Sequence, residues 1–94
     1  NAALWADACP VLVDVDETLC MSYEELVKNK ILDAVLYVPL NGRAGDGKKI
    51  NEWCKKNNII FIEDSAHALG SSYGSKKCGS LGVTSLYIFS WPYC

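Results

Sequence analysis

Ile59-Ile60-Phe61-Ile62-Glu63-Asp64-Ser65-Ala66-His67-Ala68-Leu69-Gly70 is the stretch that decides the fold. Its four leading apolar residues predict a strand buried on both faces. The strand ends at two carboxylates, then runs through Ser-Ala-His to a glycine. In an open α/β sheet, ligands bind beyond the carboxyl ends of the strands. Asp64 and His67 therefore stand where a ligand would sit.

Upstream, Val11-Leu12-Val13-Asp14-Val15 predicts a first strand. Ser22-Tyr23-Glu24-Glu25 is a capping box, in which Ser22 caps a short helix to about Asn29 and Glu25 reaches back. Ala34 to Leu40 predicts a second strand, with Pro39 near its end. Asn41-Gly42-Arg43-Ala44-Gly45 is a turn-rich loop. Asp46 can cap a second helix whose Ile50, Trp53 and Cys54 share one face, and Asn57-Asn58 stops it. Downstream, a short helical turn to Gly70 precedes a hairpin or surface loop over residues 73–79. Residues 85–89 predict a further strand. Strand–helix–strand–helix–strand implies α/β architecture with a parallel sheet. Residues 1–8 suggest the end of a helix, and the last strand leaves a sheet face uncovered. Residues 1–94 are therefore expected to be part of a larger domain, cut at both ends.

The chain has 94 residues, half of them hydrophobic, which speaks against disorder. A net charge of −2 with interspersed signs gives no electrostatic footprint for nucleic acid. No apolar run reaches transmembrane length, and no signal peptide is visible. Five cysteines and one histidine, without a Cys-x-x-Cys pair, make a zinc site a poor expectation. Thiols in a reducing cytoplasm are expected instead.

Val13-Asp14-Val15-Asp16-Glu17-Thr18-Leu19 resembles the first motif of haloacid-dehalogenase-type phosphatases. That resemblance would make Asp14 the nucleophile and Asp16 the acid/base beside Mg²⁺. The second strand should then end in Ser or Thr, but its end is Val38-Pro39-Leu40-Asn41-Gly42. Asp14 and Asp16 can equally close a turn.

A second resemblance runs through nearly the whole chain. Pro10 to Leu19, Leu40 to Asp46, Ile62 to Gly70, Gly74 to Gly82 and Phe89-Ser90-Trp91-Pro92 follow, in order and spacing, the motifs of the DegT/StrS-type sugar aminotransferases. The resemblance implies the three-layer large domain of pyridoxal 5'-phosphate (PLP)-dependent transferases. It implies a transaminase acting on nucleotide-linked keto sugars in amino-sugar and polysaccharide biosynthesis. Glutamate is the expected amino donor, and a cytoplasmic homodimer the expected form. By the same resemblance, Asp64 pairs with the pyridine nitrogen of PLP, favouring its charged form. His67 hydrogen-bonds the ring's phenolic oxygen, and Glu63 is structural. The sequence also departs from the family. Tyr93 stands where the Schiff-base lysine belongs, Ile88 where a phosphate-binding serine belongs, and Val83 where an aspartate follows the glycine loop. Tyrosine forms no imine, so the chain as given is expected to be inactive, and a non-catalytic α/β remnant is the alternative to a working enzyme.

Overall fold

The computed structural model describes residues 2–29, 31–82 and the backbone of 84–86. It starts with α1 (Ala2–Trp5). Asp7 closes this helix in the left-handed conformation, φ 55, while Ala8 N–H reaches Ala3 O at 2.9 Å. That is a Schellman stop, which satisfies carbonyls the helix leaves open.

Residues 11–15 do not join the sheet formed by the described residues. Val11 and Leu12 are exposed, and only an isolated antiparallel bridge links Val15 to Met21. The chain here folds on itself. Asp16 N–H bonds Cys20 O, Leu19 N–H bonds Asp16 O, and Ser22 N–H bonds Asp14 O, each at 3.0 Å. Asp16 Oδ1 accepts from Thr18 N–H at 2.7 Å and also from the Thr18 hydroxyl. These bonds tighten a loop, whose Thr18 O also accepts from Arg43 Nη1 at 3.3 Å.

Helix α2 (Tyr23–Leu26) follows. Ser22 Oγ accepts from Glu25 N–H at 3.3 Å, as expected of a cap. The reciprocal half of the box does not form: Ser22 N–H goes to Asp14 O, and Glu25 pairs with Lys28 at 2.6 Å. Asn29 ends the turn early: its Nδ2 donates to Glu25 O and Leu26 O at 3.3 and 3.2 Å.

Strand β1 (Ala34–Tyr37), helix α3 (Gly47–Lys56) and strand β2 (Ile60–Asp64) make a βαβ unit. The two strands are parallel, with Val35 opposite Phe61 and Tyr37 opposite Glu63. Asp46 holds the N-cap position of α3 but makes no side-chain cap bond. At the other end Asn58 turns left-handed, φ 54, and Ile59 N–H closes onto Cys54 O at 2.9 Å. After β2 the expected helical turn is instead a pair of tight turns. Ala68 N–H bonds Ser65 O and Ser71 N–H bonds Ala68 O, both at 3.0 Å, and Gly70 takes φ +89. The hairpin β3 (Ser72–Tyr73) and β4 (Lys76–Lys77) comes next. Strand β5 (Thr84–Leu86) then adds to the sheet parallel to β2, giving the order β1-β2-β5. The rest of the predicted last strand lies outside the described residues.

One face of the sheet makes the core. Val35, Tyr37, Phe61 and Glu63 point into it and meet Ile50 and Cys54 of α3, together with Leu26, Tyr73 and Leu81. The Tyr37 and Phe61 rings stack with centroids 5.9 Å apart. Leu36, Val38 and Ile60 lie exposed on the other face. The strand at 60–62 is thus buried on one face among the described residues, not two.

Candidate functional site

Parallel pairing brings the carboxyl ends of β1 and β2 to one edge. The loops leaving that edge are residues 38–46 and 65–71, two segments that the sequence reading singled out separately. They touch at Gly42, whose φ is +76. A Cβ there would stand 3.1 Å from Ser71 Oγ and 3.8 Å from His67 O. Asn41 beside it is also left-handed, φ 53, a conformation that Asn and Gly tolerate best.

Asp64 is the last residue of β2 and is half-buried. Its Oδ1 accepts from Ala66 N–H at 3.1 Å, an Asx turn that fixes the carboxylate. Oδ2 has no hydrogen-bond partner among the described residues. A carboxylate steadied by one oxygen and open at the other suits a cationic ring N–H. His67 is exposed and sits in the first of the two turns after β2. A depression among the described residues lies elsewhere. It is lined by Asp16, Glu17, Thr18, Ser22, Glu24, Gly45 and Asp46, not by Asp64 or His67.

Glu63 faces the core and is wholly buried. Tyr73 Oη donates to its Oε1 at 2.8 Å and Leu81 N–H donates to its Oε2 at 3.2 Å. Burial, and then the bond to Glu63, pushes the Tyr73 phenol well above its usual range. Burial, and then Cys20 beside it, does the same to Tyr37, whose hydroxyl donates to Ala44 O at 2.7 Å. Ser65, two residues beyond Glu63, is fully buried, and its hydroxyl finds no partner among the described residues. The sequence places Tyr73 in a hairpin or surface loop, and the hairpin forms, but its bond to Glu63 is not among the sequence expectations. The available signal was Glu63 itself, since a carboxylate in an apolar strand needs a donor nearby.

Asp14 is exposed, and its Oδ1 accepts from Val15 N–H at 2.8 Å. Among the described residues no three His, Cys, Asp or Glu groups gather to hold a metal ion. No described helix is long and apolar enough to cross a membrane. Val83, Ile88 and Tyr93 lie outside the described residues.

The parallel βαβ sheet places the chain among the α/β proteins, in which ligands bind at the carboxyl edge of the strands. Comparison makes the class specific. The DegT/DnrJ/EryC1/StrS aminotransferase family matches residues 1–91, and the chain belongs to that family. The match includes Asp14 and Asp16, so the phosphatase reading is dropped. GDP-perosamine synthase of Escherichia coli O157:H7 is 39% identical over 93 residues, covering 95% of this chain and 25% of that protein. An aminotransferase of Streptoalloteichus hindustanus superposes with a TM-score of 0.88 at 30% identity, over 95% of this chain and 25% of its own. The Helicobacter pylori aminotransferase involved in the biosynthesis of pseudoaminic acid gives 0.84 at 29%, over 93% and 24%. The chain thus spans about a quarter of the length of these relatives. The family's aminotransferases are PLP-dependent.

Proposed function

We propose that the whole protein is a PLP-dependent aminotransferase that transfers an amino group, from a donor such as glutamate, to a keto carbon of a nucleotide-linked sugar. The observation that carries this is the family match across residues 1–91 with Asp64 standing at the carboxyl end of β2. The sugar class follows the relatives' names, GDP-perosamine synthase among them. A cytoplasmic homodimer in amino-sugar or polysaccharide biosynthesis belongs to the same reading.

PLP, when bound, supplies the electron sink for labilising bonds at the amino-bearing carbon. The residues of this chain hold it from the pyridine side. Asp64 Oδ2 would accept the ring N–H and keep the nitrogen protonated. The Ala66 N–H bond to Oδ1 keeps that carboxylate from turning away. His67, in the turn that follows, would hydrogen-bond the ring's phenolic oxygen. A half-exposed ion pair of this kind supplies at most about 1 kcal/mol, whereas a micromolar site takes about 8 kcal/mol. Residues 1–94 alone are therefore expected neither to retain the cofactor nor to transaminate. Tyr93, at the lysine position, favours a second reading for a protein carrying this exact sequence: a family member without covalent cofactor attachment.

The test is a full-length chain carrying this segment. With Tyr93→Lys it should take up PLP, show an imine absorbance removed by borohydride, and transfer nitrogen from glutamate to a nucleotide-linked keto sugar. Asp64→Ala in that background should abolish transfer. Full activity of the Asp64→Ala variant would refute the assignment.

A further inference from the structure

Glu63 and Asp64 are neighbours on β2, so their side chains leave opposite faces of the sheet. Asp64 is half-buried at the strand end, and Glu63 is 0% exposed. A carboxylate buried that completely stays only where donors meet it. One donor meets each oxygen: Tyr73 Oη at 2.8 Å and Leu81 N–H at 3.2 Å. These donors come from the two ends of one excursion. Tyr73 lies on β3, where the chain has just left the sheet, and Leu81 lies shortly before β5, where it returns. β5 then pairs with β2, with Glu63 opposite Ser85 and Asp64 opposite Leu86. Departing and returning chain are held at one point, a single residue from Asp64. Tyr73 is itself confined, since a Cβ on Gly47 would stand 2.7 Å from its hydroxyl.

We propose that Glu63 is a positioning residue for the cofactor site. Its carboxylate clamps residues 72–82 to β2, which sets the register of β5 against Asp64 and so the place of the Asp64 carboxylate. A slip of β5 by one residue would exchange the faces of all its side chains, and the clamp is what such a slip must break. The proposal rests on the assignment of Asp64 made above.

The test uses a full-length chain carrying this segment, with pyridoxamine phosphate as the probe. The probe's amine forms no imine with a lysine, so its binding reads the non-covalent contacts whatever stands at position 93. Tyr73→Phe removes one donor and keeps the ring. It should weaken probe binding about tenfold, the size of one lost buried hydrogen bond. In an Asp64→Asn background the same change should weaken binding no further, because the clamp works through Asp64. Glu63→Gln can still accept from Leu81 and donate to Tyr73, and should bind within a factor of about three of the parent. Glu63→Leu, which can do neither, should match Tyr73→Phe. If Glu63→Leu does not fold, Tyr73→Phe and Glu63→Gln decide the matter. The positioning role is overturned if Tyr73→Phe weakens binding equally in both backgrounds or in neither. It is also overturned if Glu63→Gln loses as much as Tyr73→Phe. If Asp64→Asn alone leaves binding unchanged, the Asp64 assignment itself fails and the clamp's role falls with it.

Discussion

Gly47 lies directly against Tyr37: a Cβ on the glycine would stand 2.6 Å from Cε1 of the tyrosine ring. The ring of Tyr73 is nearly as close, at 2.7 Å. Neither ring can step aside freely, because Tyr37 is tied to Ala44 and Tyr73 to Glu63. Two effects oppose each other in Gly47→Ala. Helix propensity favours alanine by up to about 1 kcal/mol, and less at a first helical position. Overpacking costs about 1–3 kcal/mol. The clash should win, lowering the unfolding free energy read from urea denaturation by a net of about 1–2 kcal/mol. A more stable Gly47→Ala protein would mean the rings yield without cost.

Ser65→Ala should go the other way. The hydroxyl is buried with no partner among the described residues, and an unmatched buried polar group costs about 1–3 kcal/mol. Removing one oxygen atom leaves a small void that offsets part of the gain. The expected net change is neutral to about 1 kcal/mol stabilising, read by the same denaturation. A loss above about 1 kcal/mol would reveal a partner for Ser65, such as a bound water.

The two members of the expected capping box should behave differently. Ser22→Ala removes the bond to Glu25 N–H and should cost about 1 kcal/mol. Glu25→Ala removes only an exposed pair with Lys28 and should cost no more than about 0.5 kcal/mol. Equal losses would show that Glu25 does take part in the cap.

Alkaline pH should loosen the fold. Burial pushes the Cys54 thiol from its ordinary 9.0 up to about 11, and the phenols of Tyr37 and Tyr73 are raised by burial as well. Between the unfolded and folded values the native state holds protons that the unfolded chain has released, so stability falls as pH rises. It is fully present below about pH 8 and declines from about pH 9 upward. Denaturation midpoints across that range should show the slope, and Cys54→Ala should flatten its lower part. In the native protein, exposed Cys9 should alkylate well before buried Cys20 and Cys54. A stability flat through pH 11 would contradict the burial argument.

The helix stops, the cap at Ser22 and the parallel pair β1–β2 were legible in the sequence because each depends on a local rule. Asn58 as a left-handed stop and Ser22 as an acceptor need only their own neighbours. The strand expected at 11–15 failed because apolar content does not say who the partner will be, and Asp16 drew that backbone into a loop with Thr18 and Cys20. The Ser65–Ala68 turn reads as helix in the sequence because a single turn of either kind spans the same few residues. Asp64 could be placed at a strand end from its position after an apolar run. The Glu63–Tyr73 contact could not, since the two are ten residues apart and two tight turns lie between them.

That contact also makes positions 63 and 73 a single unit of substitution. Changing Tyr73 alone strands a buried carboxylate, and changing Glu63 alone strands a buried phenol. A joint change to two apolar residues of similar shape would be nearly neutral for the pair. The third member resists such drift. The Leu81 N–H belongs to the backbone, and no substitution except proline removes it. Sequences that wander within this fold should therefore keep an acceptor at 63 longer than a hydroxyl at 73.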